Sequence, residues 1–365
     1  MKKNNSKPRK GNYSGKPRKS KEVYDNKEMP NNPNWYAKNP QLLKDTASIP
    51  FSNVLGKRLP INSDGIASAS VPGIMCIDYA HSLGGGQSAT DAPTVAARYI
   101  YSYVRHANSG SANYEAPDLY MMIVAWHSAN AFIEHAKRAY GTMMHYLARN
   151  RFFAETVVRA MGFDYASLMR SLPAFRSAIN QASAKLNSIK VPGDMPLGDR
   201  WKQLASEYYC DGQSSKAQLY IPNCIEFLKY DGYGSATGTS LVRFEPMPFM
   251  DVETWRLAVE QLLAPLLAEE DVGIMSGDIQ KAFGDNVSRV SMIDESYYAL
   301  PIFSNEMLAQ IHNLIMPGVH AATPVGHARV YQNAGVIIDD FFIHENNLTM
   351  TNHILTSLSL ELLLY

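Results

Sequence analysis

The sequence predicts a helix-dominated α+β protein with a disordered N-terminal arm, and three observations carry that prediction. Beyond residue 94, apolar residues recur over most of the chain at the period of an α-helix. Short segments rich in strand-forming residues are concentrated between residues 217 and 244. The first 34 residues hold almost no aliphatic side chain, so they cannot offset the entropy cost of becoming ordered.

We expect three parts along the chain. Residues 1–34 are predicted to be a disordered basic arm, rich in Lys, Asn, Ser, Gly and Pro. Residues 35–70 are interrupted by prolines that would break any long helix, and they are predicted to be an extended arm packing on the body. Residues 71–365 are predicted to form one mainly helical domain, which the length of 365 residues accommodates.

The helices are placed by their apolar periodicity and their boundary residues. Residues 94–106 and 118–149 are predicted to form the first two, with Asp118 as the N-cap of the second because it follows Pro117. In a later helix over residues 251–270, the apolar side chains share one face. Further helices are expected over residues 152–161, 165–189, 199–208, 276–283, 305–315 and 352–365.

Strands are expected where strand-forming residues lie between turn signals. Residues 217–221, 225–230 and 240–244 are the three clearest, and Asp-Gly pairs at 211–212 and 231–232 are the expected turns. Residues 289–293 and 297–303 are two further candidates. Helical segments cover far more of the chain than these strands, which makes the class helix-dominated α+β.

The charge is balanced overall but unevenly placed. The chain has 34 Lys and Arg against 34 Asp and Glu, yet residues 1–21 hold nine cations and no acid. The remaining residues hold 25 basic and 34 acidic side chains, so a basic arm is joined to an acidic body of net charge −9. The nine cations are Lys2, Lys3, Lys7, Arg9, Lys10, Lys16, Arg18, Lys19 and Lys21.

Composition also excludes several classes of protein. The basic N-terminus lacks the apolar run of a signal peptide, and the longest apolar run, residues 119–126, is shorter than the roughly 18 residues of a membrane span. Cys76, Cys210 and Cys224 are odd in number and form no Cys-x-x-Cys pair. We therefore expect buried free thiols in a reducing compartment, with neither a zinc ribbon nor a disulfide framework.

The sequence carries no catalytic or cofactor motif that we expect to act. The glycines at 84–86 and those at 232, 234 and 238 lack the spacing of a phosphate-binding loop. No G-x-S-x-G nucleophile elbow is present. The paired acids at 269–271 and 339–340 are expected to be solvated charges at the ends of elements. We therefore expect no catalytic residue, no metal, no cofactor and no enzyme activity.

One polar stripe on the long helix needs its own explanation. His127, Glu134, Arg138 and His145 fall on one face at about 100° per residue. His127 and Glu134 would lie about 10.5 Å apart along the axis, which is too far for both to bind one metal ion. We expect a polar seam against a neighbouring helix or subunit, with Glu134 and Arg138 forming an i,i+4 ion pair.

The basic arm is the strongest chemical feature of the sequence. Cations on a flexible segment bind polyanions by releasing counterions, without reading sequence. If all nine contacted phosphates, the logarithm of affinity would fall with the logarithm of salt with a slope of about −8 on duplexes and about −6 on single strands. Membrane-surface binding, nuclear targeting and a solvated tail without a function are the alternatives.

Several stretches resemble picobirnavirus capsid proteins. The most specific are RYIYSYVRHANSG at residues 98–110, its continuation through residues 113–119, and IMSGDIQKAFG at residues 274–284. The others lie at residues 35–45, 49–52 and 71–75. These stretches identify a family and carry no catalytic meaning.

The resemblance implies a structural coat protein of a double-stranded-RNA virus with a picobirnavirus-like capsid shell fold. Members of this family form homodimers, and sixty dimers close an icosahedral shell. The basic arm would bind genomic RNA inside the virion capsid, after assembly in the host cytoplasm. In some members the arm is removed by self-cleavage, which would fall within residues 53–70 here. Family members are usually longer, so the apolar end at residues 358–365 suggests a truncated or compact variant.

Two other functions stay open at the level of sequence. A non-capsid RNA-binding nucleoprotein would coat RNA without closing a shell. An enzyme acting on nucleic acid would concentrate positive potential in a cleft of the body, whereas a coat subunit would keep it on the arm and inner face.

Overall fold

A computed structural model describes residues 73–83, 86–110, 113–146, 151–212, 217–235, 238–313 and 329–339, together with short strands at 58–59, 69–70 and 354–357. All of them belong to one compact unit formed by residues 52–60 and 68–365. A second unit, residues 1–51 and 61–67, lies outside the described residues. The division into two arms and a body therefore stays a prediction.

The described residues form nine helices, which agree with the predicted class. They are α1 (Ala92–Ala107), α2 (Ala116–Tyr146), α3 (Arg151–Ala160), α4 (Tyr165–Arg170), α5 (Leu172–Leu186), α6 (Pro196–Ser206), α7 (Val252–Ala268), α8 (Glu270–Phe283) and α9 (Asn305–His312).

Two helix boundaries differ from the prediction for identifiable reasons. The helix predicted over residues 165–189 is divided into α4 and α5 at Ser171, because Pro173 cannot continue a helix but is accepted in the first turn of a new one. The predicted N-cap role of Asp118 is wrong, since α2 begins two residues earlier. The Asp118 carboxylate instead accepts the N–H of Glu115, at 2.9 Å, from inside the first turn.

The described residues also contain nine strands. They are β1 (Arg58–Leu59), β2 (Ala69–Ser70), β3 (Ile74–Ala80), β4 (Tyr209–Cys210), β5 (Leu219–Ser235), β6 (Gly238–Phe244), β7 (Arg329–Asn333), β8 (Val336–Asp339) and β9 (Ile354–Ser357). β1 pairs with β2, and the other seven form one sheet of order β8-β7-β6-β5-β3-β9 with β4 beside β5. β3 and β5 run parallel, and the other pairs are antiparallel.

β5 joins two strands that the sequence suggested were separate. Its first half pairs with β3 and its second half pairs with β6, so tertiary pairing keeps the chain extended through Pro222 and through the Asp-Gly pair at 231–232. The turn predicted at 231–232 is therefore wrong. The connection between β5 and β6 falls after Ser235 instead.

Three other strand and helix predictions are wrong. Residues 289–293 and 297–303 form no strand, and the one isolated bridge within these ranges joins Tyr209 to Ile302. Within the predicted helix at 352–365, the described residues are strand β9, which pairs with the edge of β3. A short apolar run fits a buried strand as well as a buried helix. Here the run forms a strand because it pairs with the free edge of β3.

The core surrounds α2, which is buried on all sides. Every residue from Leu119 to Met143 is buried, and α2 packs against six other helices and against strands β5 and β6. A helix enclosed in this way carries apolar or small residues around its whole circumference. Its few charged and polar side chains must therefore find partners inside the protein. No helix in the described part of the chain is long and apolar enough to cross a membrane.

Candidate assembly surface and the buried polar seam

The nine predicted RNA-binding cations, from Lys2 to Lys21, lie outside the described residues. The structure therefore does not test whether they form one binding site, and their role stays a prediction. Within the described ranges, no group of three or more His, Cys, Asp or Glu side chains could hold a metal ion.

The three thiols are free and buried, as predicted. Burial raises the pKa of Cys76 to about 12, and it raises the pKa of Cys224 as well. A thiol is nucleophilic as the thiolate, so these two side chains are held in their unreactive form at neutral pH. They act as small apolar groups of the core.

The polar stripe on α2 forms a seam inside the subunit, centred on Arg138. This side chain is fully buried. Its Nη1 donates to the carbonyl oxygens of Leu204 (3.1 Å) and Glu207 (2.8 Å), at the C-terminal end of α6. Its Nη2 donates to the carbonyl of Pro222 (2.9 Å) and to Oδ1 of Asn223 (3.3 Å) on β5. The expected packing against a neighbouring helix is confirmed.

The predicted ion pair between Glu134 and Arg138 is wrong. Glu134 instead accepts from Nζ of Lys137, the residue before Arg138, at 2.8 Å. Lys137 also donates to the carbonyl of Ser291 at 2.6 Å. The last carbonyls of a helix have no partner within it and carry partial negative charge, so the end of α6 takes the guanidinium of Arg138.

Three buried histidines line the same region. His81 stacks on Trp201 with ring centroids 3.9 Å apart, and its Nδ1 lies 2.9 Å from Oγ of Ser128. His135 Nε2 lies 2.9 Å from the carbonyl of Met161, to which it donates. Burial lowers the pKa of His81 and of His135 to about 3, and that of His127 to about 4. All three are neutral at pH 7 and enclosed, so they act as core side chains.

Some of the acids that the sequence predicted to be solvated are exposed, and one of them is buried. Glu270 and Asp271 are exposed in the first turn of α8, where negative charge is favourable. Asp339 is completely buried, which corrects the prediction of a solvated charge. It lies in β8, and its N–H donates to the carbonyl of Gly86 at 2.8 Å.

A cluster around Asp278 joins two stretches on which the family resemblance rests. The Asp278 carboxylate accepts from the hydroxyl of Tyr114 at 2.6 Å and lies 3.6 Å from the guanidinium of Arg105. Asn108 donates to the Asp278 backbone carbonyl at 3.0 Å. The cluster therefore ties the loop after α1 to α8. Periodicity could not have identified it, although all four residues lie in the family-like stretches.

A concentration of exposed apolar side chains marks the surface beside β4. We name residues 292–303 the edge segment. It contains five of the thirteen large hydrophobic side chains that are exposed in the described part of the chain. These five are Met292, Tyr298, Leu300, Ile302 and Phe303. Surfaces this rich in apolar groups usually mark an interaction site.

The edge segment is held against the core at Gly141 of α2. A Cβ at this position would lie 2.7 Å from the nitrogen of Ala299 and 2.9 Å from both Cε1 of Tyr297 and the carbonyl carbon of Tyr298. The absence of a side chain at Gly141 is thus what allows the segment to approach the helix.

Replacing Gly141 with Ala is expected to destabilise the protein by about 1–3 kcal/mol, because the new methyl group must displace backbone atoms of the edge segment. Gly277→Ala in α8 is the matched control. It has open space around it and is expected to stabilise the helix by up to about 1 kcal/mol. Urea unfolding measures both values, and equal effects of the two substitutions would contradict the prediction.

Comparison with known proteins gives consistent matches. The family model for the picobirnavirus capsid protein matches residues 35–345. The capsid protein precursor of Human picobirnavirus (strain Human/Thailand/Hy005102/-) is 28% identical over 294 residues, covering 76% of this chain and 53% of the precursor. The chain thus spans about half the length of this curated relative.

The fold also matches a solved structure. The X-ray crystallographic structure of the picobirnavirus capsid aligns with a TM-score of 0.68 at 24% identity, over 84% of this chain and 63% of that chain. This likeness confirms the predicted shell fold. Because the family model covers most of the sequence as well, this chain belongs to the picobirnavirus capsid protein family.

Proposed function

We propose that the protein is a coat subunit of a double-stranded-RNA virus, which forms homodimers that close an icosahedral shell. It binds genomic RNA through its basic N-terminal arm, assembles in the host cytoplasm and resides in the virion capsid. The observation that carries this proposal is the family match over residues 35–345. The precursor of Human picobirnavirus is itself named a capsid protein.

The chemistry of the described residues supports a structural role over an enzymatic one. The charged groups enclosed in α2 are bound to main-chain carbonyls, to an asparagine side chain or to each other, as Arg138 and Lys137 are. The buried histidines are neutral and the buried thiols are protonated. Groups held in this way stabilise a fold, whereas a catalytic group must reach a substrate.

Electron microscopy of the expressed full chain tests the shell. Closed particles of uniform size support the proposal. Open filaments or beads along RNA would favour the nucleoprotein instead. A chain that remains monomeric at every concentration tested would overturn the proposed assembly.

RNA binding by the arm has a quantitative signature. We expect the logarithm of RNA affinity to fall with the logarithm of salt with a slope between about −6 and −8. Replacing the nine cations of residues 1–21 with Gln is expected to abolish this slope and most of the affinity. Fluorescence anisotropy with labelled RNA at increasing salt measures both.

An arm with the same residues in scrambled order is the matched control for that variant. It keeps the charge and loses the order, so it is expected to bind as the parent does. If the Gln variant bound RNA with unchanged affinity and slope, the binding site would lie on the body and the role of the arm would be refuted.

A further inference from the structure

The edge segment exposes five large hydrophobic side chains and two acids, and it contains no Lys or Arg. Tyr298 and Met292 are about 60% exposed, and Leu300, Ile302 and Phe303 are each exposed by about 40%. Between residues 292 and 303 the sequence contains two acids and no Lys or Arg. An RNA or anionic lipid partner would need cations here, so the chemistry of this surface fits a protein partner.

Hydrogen bonds to the rest of the subunit hold both ends of the edge segment in place. Asn180 of α5 bonds both backbone groups of Ile293, accepting its N–H at 2.9 Å and donating to its carbonyl at 2.8 Å. At the other end, the N–H of Ile302 donates to the carbonyl of Tyr208 at 2.9 Å, and its carbonyl accepts from Cys210 at 3.0 Å. A surface already fixed in place loses little conformational entropy when a partner binds it.

One of the two acids in the segment has an ion-pair partner. Glu295 lies 2.9 Å from the guanidinium of Arg176. One oxygen of Asp294 accepts from the N–H of Ser296 at 2.8 Å and from its hydroxyl at 2.7 Å. Residues 298–303 contain no charged side chain, so two copies that meet over these residues would do so without charge repulsion. A surface formed by these apolar residues can be its own complement across a twofold axis.

We propose that the edge segment is a contact surface for a second copy of this chain. At roughly 150–250 Å² for an aromatic side chain, the five exposed groups present on the order of 500 Å² of apolar surface. Two copies together would bury about 1,000 Å², the lower bound for a specific interface. The inference rests on the proposed self-assembly and assigns a surface to it.

Analytical ultracentrifugation of the full chain tests this surface. Tyr298→Ser combined with Leu300→Ser is expected to weaken self-association at least tenfold, with an unchanged circular dichroism spectrum because both side chains are exposed. Val95→Ser combined with Tyr99→Ser on α1 is the control, since these side chains are 50% and 79% exposed. The control pair is expected to leave the association constant within twofold of the parent.

The outcomes separate this inference from the proposed function. If the parent chain associates and the Tyr298/Leu300 variant associates equally well, the edge segment is not the contact and the proposed function stands. If the parent does not associate at all, the proposed assembly fails. A photoreactive benzoylphenylalanine at position 298 identifies which molecule contacts the edge segment. Cross-linked product at twice the chain mass supports a second copy, and cross-links confined to the same chain overturn it.

Discussion

Replacing Arg138 with Met is expected to lower the free energy of unfolding by several kcal/mol. The guanidinium supplies donors to four acceptors, the carbonyls of Leu204, Glu207 and Pro222 and the side chain of Asn223. Methionine has a similar length but no donor, so these acceptors would lose their partners. Each buried acceptor without a donor costs about 1–3 kcal/mol.

Removing the charge also removes the cost of keeping it in the core, so the two effects oppose each other. A buried cation is expensive because it is desolvated, and burial lowers the pKa of Arg138 to about 10. Nevertheless, the neutral acceptors stay in place without their donors at about 1–3 kcal/mol for each buried one, so we expect a net loss of several kcal/mol. That loss is a large part of the roughly 5–15 kcal/mol by which domains are stable.

Two further variants make the Arg138 prediction measurable. Arg138→Lys keeps the charge but presents a single ammonium group in place of a planar fork, so an intermediate loss of unfolding free energy is expected. Arg159→Met is the matched control. Arg159 is an exposed partner of Glu155 on α3, and surface pairs contribute less than about 1 kcal/mol. Soluble expression and urea unfolding of Arg138→Met at parental levels would refute the role assigned to Arg138.

Acidification is expected to unfold the subunit well above the pH at which carboxylates are protonated. His81, His127 and His135 are neutral in the folded state, with pKa values of about 3, 4 and 3, because burial penalises their charged forms. The neighbouring cations Lys202 and Arg138 lower the pKa values of His127 and His135 further. In the unfolded chain, each imidazole has a pKa of about 6.5.

The direction of the effect follows from which state binds protons. Well above pH 6.5 both states are neutral at these sites, and the histidines leave stability independent of pH. Below pH 6.5 the unfolded chain binds protons that the folded chain excludes, so stability falls by about 1.4 kcal/mol per pH unit for each histidine. The three together remove about 6 kcal/mol between pH 7.5 and pH 5, and the loss continues towards pH 4.

Urea unfolding at several pH values between 7.5 and 5 measures this slope. His127→Leu is expected to reduce the slope by about a third, because Nε2 of His127 has no hydrogen-bond partner within the described residues and little is lost by removing it. His106→Asn on α1 is the control, since the His106 side chain is exposed and folding does not take it out of water. A slope that none of the three buried positions alters would contradict the prediction.

Local signals located the helices well. The helix predicted at 94–106 is Ala92–Ala107, and the one predicted at 251–270 is Val252–Ala268, with Asp251 in a capping box with Thr254. Capping and amphipathic periodicity act within a few residues, so they can be read directly from the sequence. The family-like stretches also predicted the shell fold correctly.

Long-range pairing accounts for what the sequence could not predict. Residues 231–232 do not form the predicted turn, because β5 pairs with both β3 and β6 and stays extended there. Residues 354–357 form a strand because they pair with the edge of β3. Arg138 does not pair with Glu134, because it donates to carbonyls at the end of α6, which is distant in sequence. None of these partners is visible from local spacing.

The sequence by itself determined the family, the helical character and the uneven placement of charge along the chain, because these depend on composition and on short-range patterns. Only the tertiary structure decided which polar groups are buried and what satisfies them. It alone placed five large apolar side chains of residues 292–303 on the surface rather than in the core. Burial depends on what packs against a residue, and those neighbours come from parts of the chain far apart in sequence.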